Sequence, residues 1–130
     1  MKYVKKGWGS ELWIHNSPEY CGKLMKFDAN KRCSLHFHKK KSETFFLQSG
    51  KMVVSYAPIE DIVLAMCSAH QGTIQQAIDS KLKLLALNAG DSFEVPRYLV
   101  HQMLALTDCE LFEFSTEHDD DDSYRIVRGD

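Results

Sequence analysis

The chain is 130 residues long, 44% hydrophobic and 26% charged, which fits one globular domain over residues 1–130 with a modest core and argues against a second. Its formal net charge of -2 excludes the broad basic field on which nucleic-acid binding relies. The opening MKYVKKGWGS has no apolar run of the secretory kind and no stretch approaches a membrane span, so a cytoplasmic protein without membrane contact is the expectation.

Glycines Gly7 and Gly9 punctuate the start, and an aromatic and aliphatic strand follows to Ile14 before Asn16-Ser17-Pro18 turns the chain. His15 fits no ligand spacing and is expected at the surface. From Tyr20 to Phe27 the residues alternate, so that Lys23 shares a face with Met25 and Phe27 while Leu24 and Lys26 share the other. If Met25 and Phe27 face a barrel interior, so does Lys23. A buried ammonium needs an anionic partner; the alternative is a lysine at the rim with its head in water.

His36 and His38 are one residue apart, and side chains on a strand alternate, so both imidazoles point to one side and can share a metal ion. Four residues intervene before Glu43, enough for a tight hairpin, and Glu43 opens the strand-forming run Thr44-Phe45-Phe46-Leu47. A carboxylate then reaches the same ion. The hairpin holds Lys39, Lys40 and Lys41, with Lys31 and Arg32 upstream; a solvated turn is the plain reading, and steering of an anionic substrate is the functional one.

After a strand from Lys51 to Tyr56, Pro58 stops the pattern and residues 59–80 form an insertion. Ile62, Met66 and Ala69, then Ile74, Ala77 and Ile78, recur at three and four residues and predict short helices broken near Gly72, although Asp61 to Met66 also reads as a strand. The insertion is expected to cover a pocket or to meet a second subunit, and His70 within it reads as structural. Leu82 to Leu87 and Ser92 to Val95 are further strands around the turn Asn88-Ala89-Gly90-Asp91, ended by Pro96. His101 and Met103 then share a face, which offers His101 as a fourth ligand, and Leu111 to Phe114 closes the series. Short strands separated by Gly, Pro and Asn turns predict an all-β fold, an antiparallel barrel or jelly roll.

Cys21, Cys33, Cys67 and Cys109 form no Cys-x-x-Cys pair and read as small buried hydrophobes. Several strands are apolar on both faces, Phe45 and Leu47 against Phe46, Leu111 against Phe112 and Phe114. A barrel buries one face in its interior, so the other predicts a homodimer.

His36-x-His38, four residues, Glu43, six residues, Gly50 resembles the first signature of the cupin superfamily, and Gly90, five residues, Pro96, four residues, His101 resembles the second. The resemblance implies a cupin-type antiparallel β-barrel (double-stranded β-helix) of six to eight strands, with a short insertion between the two motifs. Asn30 and Tyr98 stand where those signatures have Gly, and Ala105 where the second has Asn. The order Trp8-Gly9, Lys23, Ser34-Leu35, His38, Glu43, Gly50, Pro96, His101, Glu113, Asp121-Asp122, Arg125 is similar to the small cupin domain of type II mannose-6-phosphate isomerases. In that family the position of His36 is commonly Gln, which brings this chain nearer the general site of three histidines and one glutamate.

Three imidazoles and one carboxylate, His36, His38, His101 and Glu43, suit one divalent ion, Zn, Mn, Fe, Co or Ni, with positions left open for a small-molecule substrate. Such a site polarises a hydroxy-carbonyl compound and acidifies its C–H. The base that carries the proton has two candidates, Lys23 and Glu113, with Glu113 also readable as a rim carboxylate. Arg125 is a candidate to hold a phosphate by a bidentate contact or, more plainly, to form a surface salt bridge beside the acidic run 119–122, itself read as a solvated loop. His118 is expected at the surface. Three functions fit: an isomerase or epimerase of a sugar or sugar phosphate, an anionic sugar included; a metal-dependent oxygenase or lyase; and a non-catalytic sugar-binding or sensing module.

Overall fold

The computed structural model describes residues 1–68 and 72–130. His70, read above as structural, and Ala69 lie outside the described residues.

Two antiparallel sheets face each other. The first contains β1 (Lys2–Lys6), β2 (Gly9–Asn16), β3 (Cys21–Phe27), β5 (Glu43–Ser49), β8 (Ser92–Val95) and β10 (Cys109–Ser115), in the order β1-β2-β3-β10-β5-β8. The second contains β4 (Leu35–Phe37), β6 (Lys51–Pro58), β7 (Lys83–Asn88), β9 (Leu99–Ala105) and β11 (Tyr124–Val127), in the order β11-β4-β9-β6-β7. This is the expected all-β, cupin-type barrel, but with eleven strands among the described residues, in sheets of six and five, where six to eight were expected. The strands β1 and β11 were not legible in the sequence; both are edge strands, and their burial patterns do not alternate cleanly.

Alternation decides what fills the barrel. Met25 and Phe27 of β3, Phe45 and Leu47 of β5, Met52 and Val54 of β6, Met103 of β9 and Leu111 of β10 converge in one core. Trp8 stacks on Phe27 with ring centroids 4.1 Å apart and closes that end. Gly50 joins β5 to β6 with φ 92°, and a Cβ there would collide with the Asp108 carbonyl oxygen, so the turn requires glycine. The two non-glycine residues with positive φ among the described residues are Asn30 at 66° and Tyr98 at 70°. These are the positions where the signatures have Gly, so the backbone keeps the glycine conformation while the residue has changed.

The insertion folds as α1 (Ile59–Ser68) and α2 (Ile74–Asp79), the second opened by a capping box between Thr73 and Gln76. Ile62 of α1 and Ile78 of α2 pack with Leu35, Ala57 and Val100 in a second core. The helices therefore cover the outside of the second sheet rather than a pocket. Ala65, not Met66, is the other buried position of α1, and Met66 and Ile74 are exposed.

Among the described residues, nothing covers the outer face of the first sheet in this way. Cross-strand register places Tyr3, Leu12, Leu24, Phe112 and Phe46 in one row over β1, β2, β3, β10 and β5. Tyr3 is 66% exposed, and Phe114 on the same sheet 56%. Cys21, Cys33 and Cys109 are buried as expected, whereas Cys67 is exposed. No helix of the described residues is long and apolar enough to cross a membrane.

Candidate metal centre and the cavity above it

The second sheet supplies the histidines. His36 in β4 pairs directly across from His101 in β9, and because Leu35 and Val100 point outward into the second core, both imidazoles point inward. His38 follows the end of β4 and turns to the same side. The candidate ligand atoms of the three rings lie within 4.8 Å of one another, a group with the spacing to hold a metal ion.

Each ring is oriented by a backbone carbonyl. Nδ1 of His36 lies 2.8 Å from the Ser34 oxygen, that of His38 2.9 Å from the Asp122 oxygen, and that of His101 2.9 Å from the Leu99 oxygen. A carbonyl only accepts, so in each neutral ring Nδ1 carries the hydrogen and the Nε2 lone pair faces the barrel. Burial, reinforced by the neighbouring imidazoles, holds His36 well below the usual histidine pKa. His38 is lowered to about 4, chiefly by burial, which outweighs the attraction of Glu43.

Glu43 opens β5 opposite these rings. Its Oε2 is 3.4 Å from His38 Nε2 and 3.2 Å from His101 Nε2. Glu43 Oε2 and His101 Nε2 are both buried and both lack a hydrogen bond. Burial would raise the Glu43 pKa, but the Lys41 ammonium opposes it and the carboxyl stays well below the ordinary range. A buried carboxylate oxygen thus faces imidazole lone pairs, an arrangement that is repulsive by itself and that a divalent cation resolves. The donor set of three neutral nitrogens and one carboxylate fits such an ion.

Above this group lies a cavity of about 600 Å³, lined by His36 and His38 from the side of the second sheet and by Glu43, Glu113, Lys23 and Glu11 from the first. Lys23 is 1% exposed, so of its two readings the inward one holds; its Nζ lies 3.5 Å from Glu11 Oε1 and 4.3 Å above the ring of Trp13. Glu113 is likewise buried rather than a rim carboxylate, and its pKa is raised by burial and by the charge of Glu43. Arg125 is exposed at the cavity mouth with Lys6 and Arg128, and among the described residues it forms no ion pair.

Three residues were misjudged from the sequence. Lys39 and Lys40 are exposed as a solvated turn predicts, but Lys41 is 3% exposed. Its Nζ reaches Glu43 Oε1 at 3.2 Å, Glu113 Oε2 at 3.1 Å and His118 Nδ1 at 2.9 Å. The two carboxylates outweigh its burial and raise its pKa. A signal was present, since Lys41 stands two residues before Glu43 and so falls on the same face. His118 does not lie free at the surface: its side chain is 11% exposed and lines the cavity, with Nε2 2.8 Å from Asp120 Oδ1. Asp122 is buried at the end of a 3-10 turn over Asp120–Asp122, and its carboxylate accepts from the backbone N–H groups of Lys39, Lys40 and Lys41. Burial would raise its pKa, and those three donors lower it. One residue therefore fixes the hairpin through its side chain and His38 through its carbonyl. His15, hydrogen-bonded to Ser17 and stacked on Tyr20, is a surface residue as expected.

No family model matches the sequence, and no curated protein matches it. Solved structures do. The capsular polysaccharide assembling protein CapF from Staphylococcus aureus superposes with a TM-score of 0.72 at 16% identity, covering 97% of this chain and 32% of that one. KdgF from Halomonas sp. gives 0.68 at 15% identity over 93% of this chain and 90% of that one. Oxalate decarboxylase from Lactobacillus farciminis, in a formate complex, gives 0.71 at 19% identity over 96% and 33%. The chain spans about a third of CapF and of the decarboxylase and most of KdgF. At these identities the likeness is one of fold.

Proposed function

We propose that this protein is a metal-dependent enzyme acting on a small molecule, an isomerase or epimerase of a sugar or sugar phosphate in the cytoplasm. The observation that carries the reading is the convergence of three imidazole Nε2 atoms with the orphaned Glu43 Oε2 on the wall of a cavity the size of a small metabolite. His36, His38, His101 and Glu43 would hold one divalent ion, which would supply Lewis acidity to polarise a substrate carbonyl and acidify the neighbouring C–H. The choice of isomerisation rests on the resemblance of the residue order, from Trp8-Gly9 to Arg125, to the small cupin domain of type II mannose-6-phosphate isomerases.

The protein's own groups divide the remaining work. Lys41 keeps Glu43 Oε1 occupied and so turns Oε2 toward the histidines. Glu113 Oε2 accepts from Lys41 and from Ser115 at 2.9 Å, which leaves Oε1 to take a proton from one carbon and return it to the next. A carboxyl whose pKa is raised by burial suits that exchange. Arg125, which lines the cavity, would hold a phosphate.

Purification without added metal or chelator, followed by elemental analysis and by solvent deuterium uptake at the carbon next to a sugar carbonyl, tests the reading. About one equivalent of a divalent ion, lost in His38→Ala and His101→Ala, with deuterium uptake abolished in Glu113→Gln, is expected. Bound metal without exchange would leave a sugar-binding module, and iron with oxygen consumption an oxygenase. We further propose that the row from Tyr3 to Phe46 on the first sheet meets a second copy of the chain; a monomeric mass at micromolar concentration refutes it.

A further inference from the structure

The cavity holds two buried lysines in opposite states. Lys41 has its three ammonium hydrogens directed to Glu43, Glu113 and His118, and His118 is itself held by Asp120. It has nothing left to offer a ligand. Lys23, equally buried, makes no hydrogen bond through Nζ to any described residue. Its ammonium lies over the face of Trp13, a contact that occupies no N–H, and approaches only Glu11 Oε1, at 3.5 Å. That oxygen already accepts from Trp13 Nε1 at 2.9 Å, so Glu11 is fixed while its Oε2 remains open. Both Lys23 and Glu11 line the cavity.

An ammonium buried in the cavity wall with unoccupied donors calls for a partner that arrives with the ligand. We infer that Lys23 and Glu11 form a subsite for a neutral hydroxyl of a polyhydroxylated ligand, across the cavity from the histidines. The pair offers a donor and an acceptor to one group, and a hydroxyl both accepts and donates through its single oxygen. Its opposite charges cancel, so a ligand carboxylate or phosphate gains Lys23 but meets Glu11, whereas a hydroxyl satisfies both. An anionic group on the same ligand is directed instead to the mouth, where Lys6, Arg125 and Arg128 stand. The inference rests on the sugar reading above and adds which end of the sugar enters first.

The test uses the metal-loaded full chain and compares binding of D-mannose with that of D-mannonate and D-mannuronate, which carry the carboxylate at opposite ends. Expected are preference for mannose over mannonate, a shift of that ratio toward the acids by about tenfold in Glu11→Gln, and a loss of about tenfold for all three in Lys23→Met. Metal content should stay unchanged in both variants, which separates the subsite from a folding defect. A ratio unmoved by Glu11→Gln, binding unmoved by Lys23→Met, or a wild type that binds none of the three overturns the inference. Deuterium exchange in the wild type is read separately. Exchange with an unmoved ratio sinks the subsite alone, and a shifted ratio without exchange sinks the isomerase reading alone.

Discussion

Four strands build both ends of the barrel interior, and along each the inward residues change from polar to apolar. On β3, Lys23 gives way to Met25 and Phe27; on β5, Glu43 to Phe45 and Leu47; on β9, His101 to Met103 and Ala105; on β10, Glu113 to Leu111 and Cys109. Register staggers the change on β5, since Glu113 pairs with Lys23 on one side and with Phe45 on the other, while Leu111 pairs with Met25 and Leu47. The apolar end is stabilised by burial, roughly 1.5–3 kcal/mol for each large side chain removed from water. The polar end holds charges that are tolerable only in mutual contact. One end thus provides the rigidity that the other needs to keep its charges aligned.

The sharpest way to break this division is Lys41→Met, which leaves Glu43 and Glu113 buried together without their shared cation. Loss of one partner from a buried ion pair costs about 3–5 kcal/mol, readable in urea unfolding of metal-free protein. A loss below about 1 kcal/mol would mean that these contacts do not hold the polar end. Leu111→Ala attacks the other end and is expected to cost about 2–5 kcal/mol, with the metal content of the folded fraction unchanged. If metal is lost in proportion to stability, the two ends are not separable.

Asp122→Asn should cost less, about 1.5–3 kcal/mol for its charge-assisted bonds, and should speed amide exchange at Lys39, Lys40 and Lys41. The sign of its pH dependence follows from a folded pKa below the unfolded one. Its contribution is present above the ordinary aspartate range and is lost as pH falls through the lowered value, so the variant should show a flatter acid limb than wild type. The smallest effect, and an opposite one, is expected for Tyr98→Gly. Relief of the left-handed conformation should raise stability by up to about 1 kcal/mol, without change at the polar end.

How far the sequence reveals each part depends on how local its cause is. His36, His38 and Glu43 are legible because alternation and a short hairpin act within eight residues, and His101 follows from the turn chemistry of Gly90 and Pro96. Helix periodicity located both helices of the insertion but not the face they cover, since Ile62 and Ile78 meet residues from three separate strands. His118 and Asp122 read as surface polar residues because their partners, Lys41 and the backbone of residues 39–41, lie more than 70 positions away. Lys41 was lost in a run of three lysines whose other two members are indeed solvated.

By itself the sequence determined the strand class, the shared face of Lys23, Met25 and Phe27 and the group of histidines with its glutamate, because a period of two and the demands of tight turns act along the chain. Only the tertiary structure decided which charges became partners. Lys41 is occupied and Lys23 is open not through any difference in residue type, but because antiparallel register brings two carboxylates and an imidazole to one ammonium and an indole face to the other.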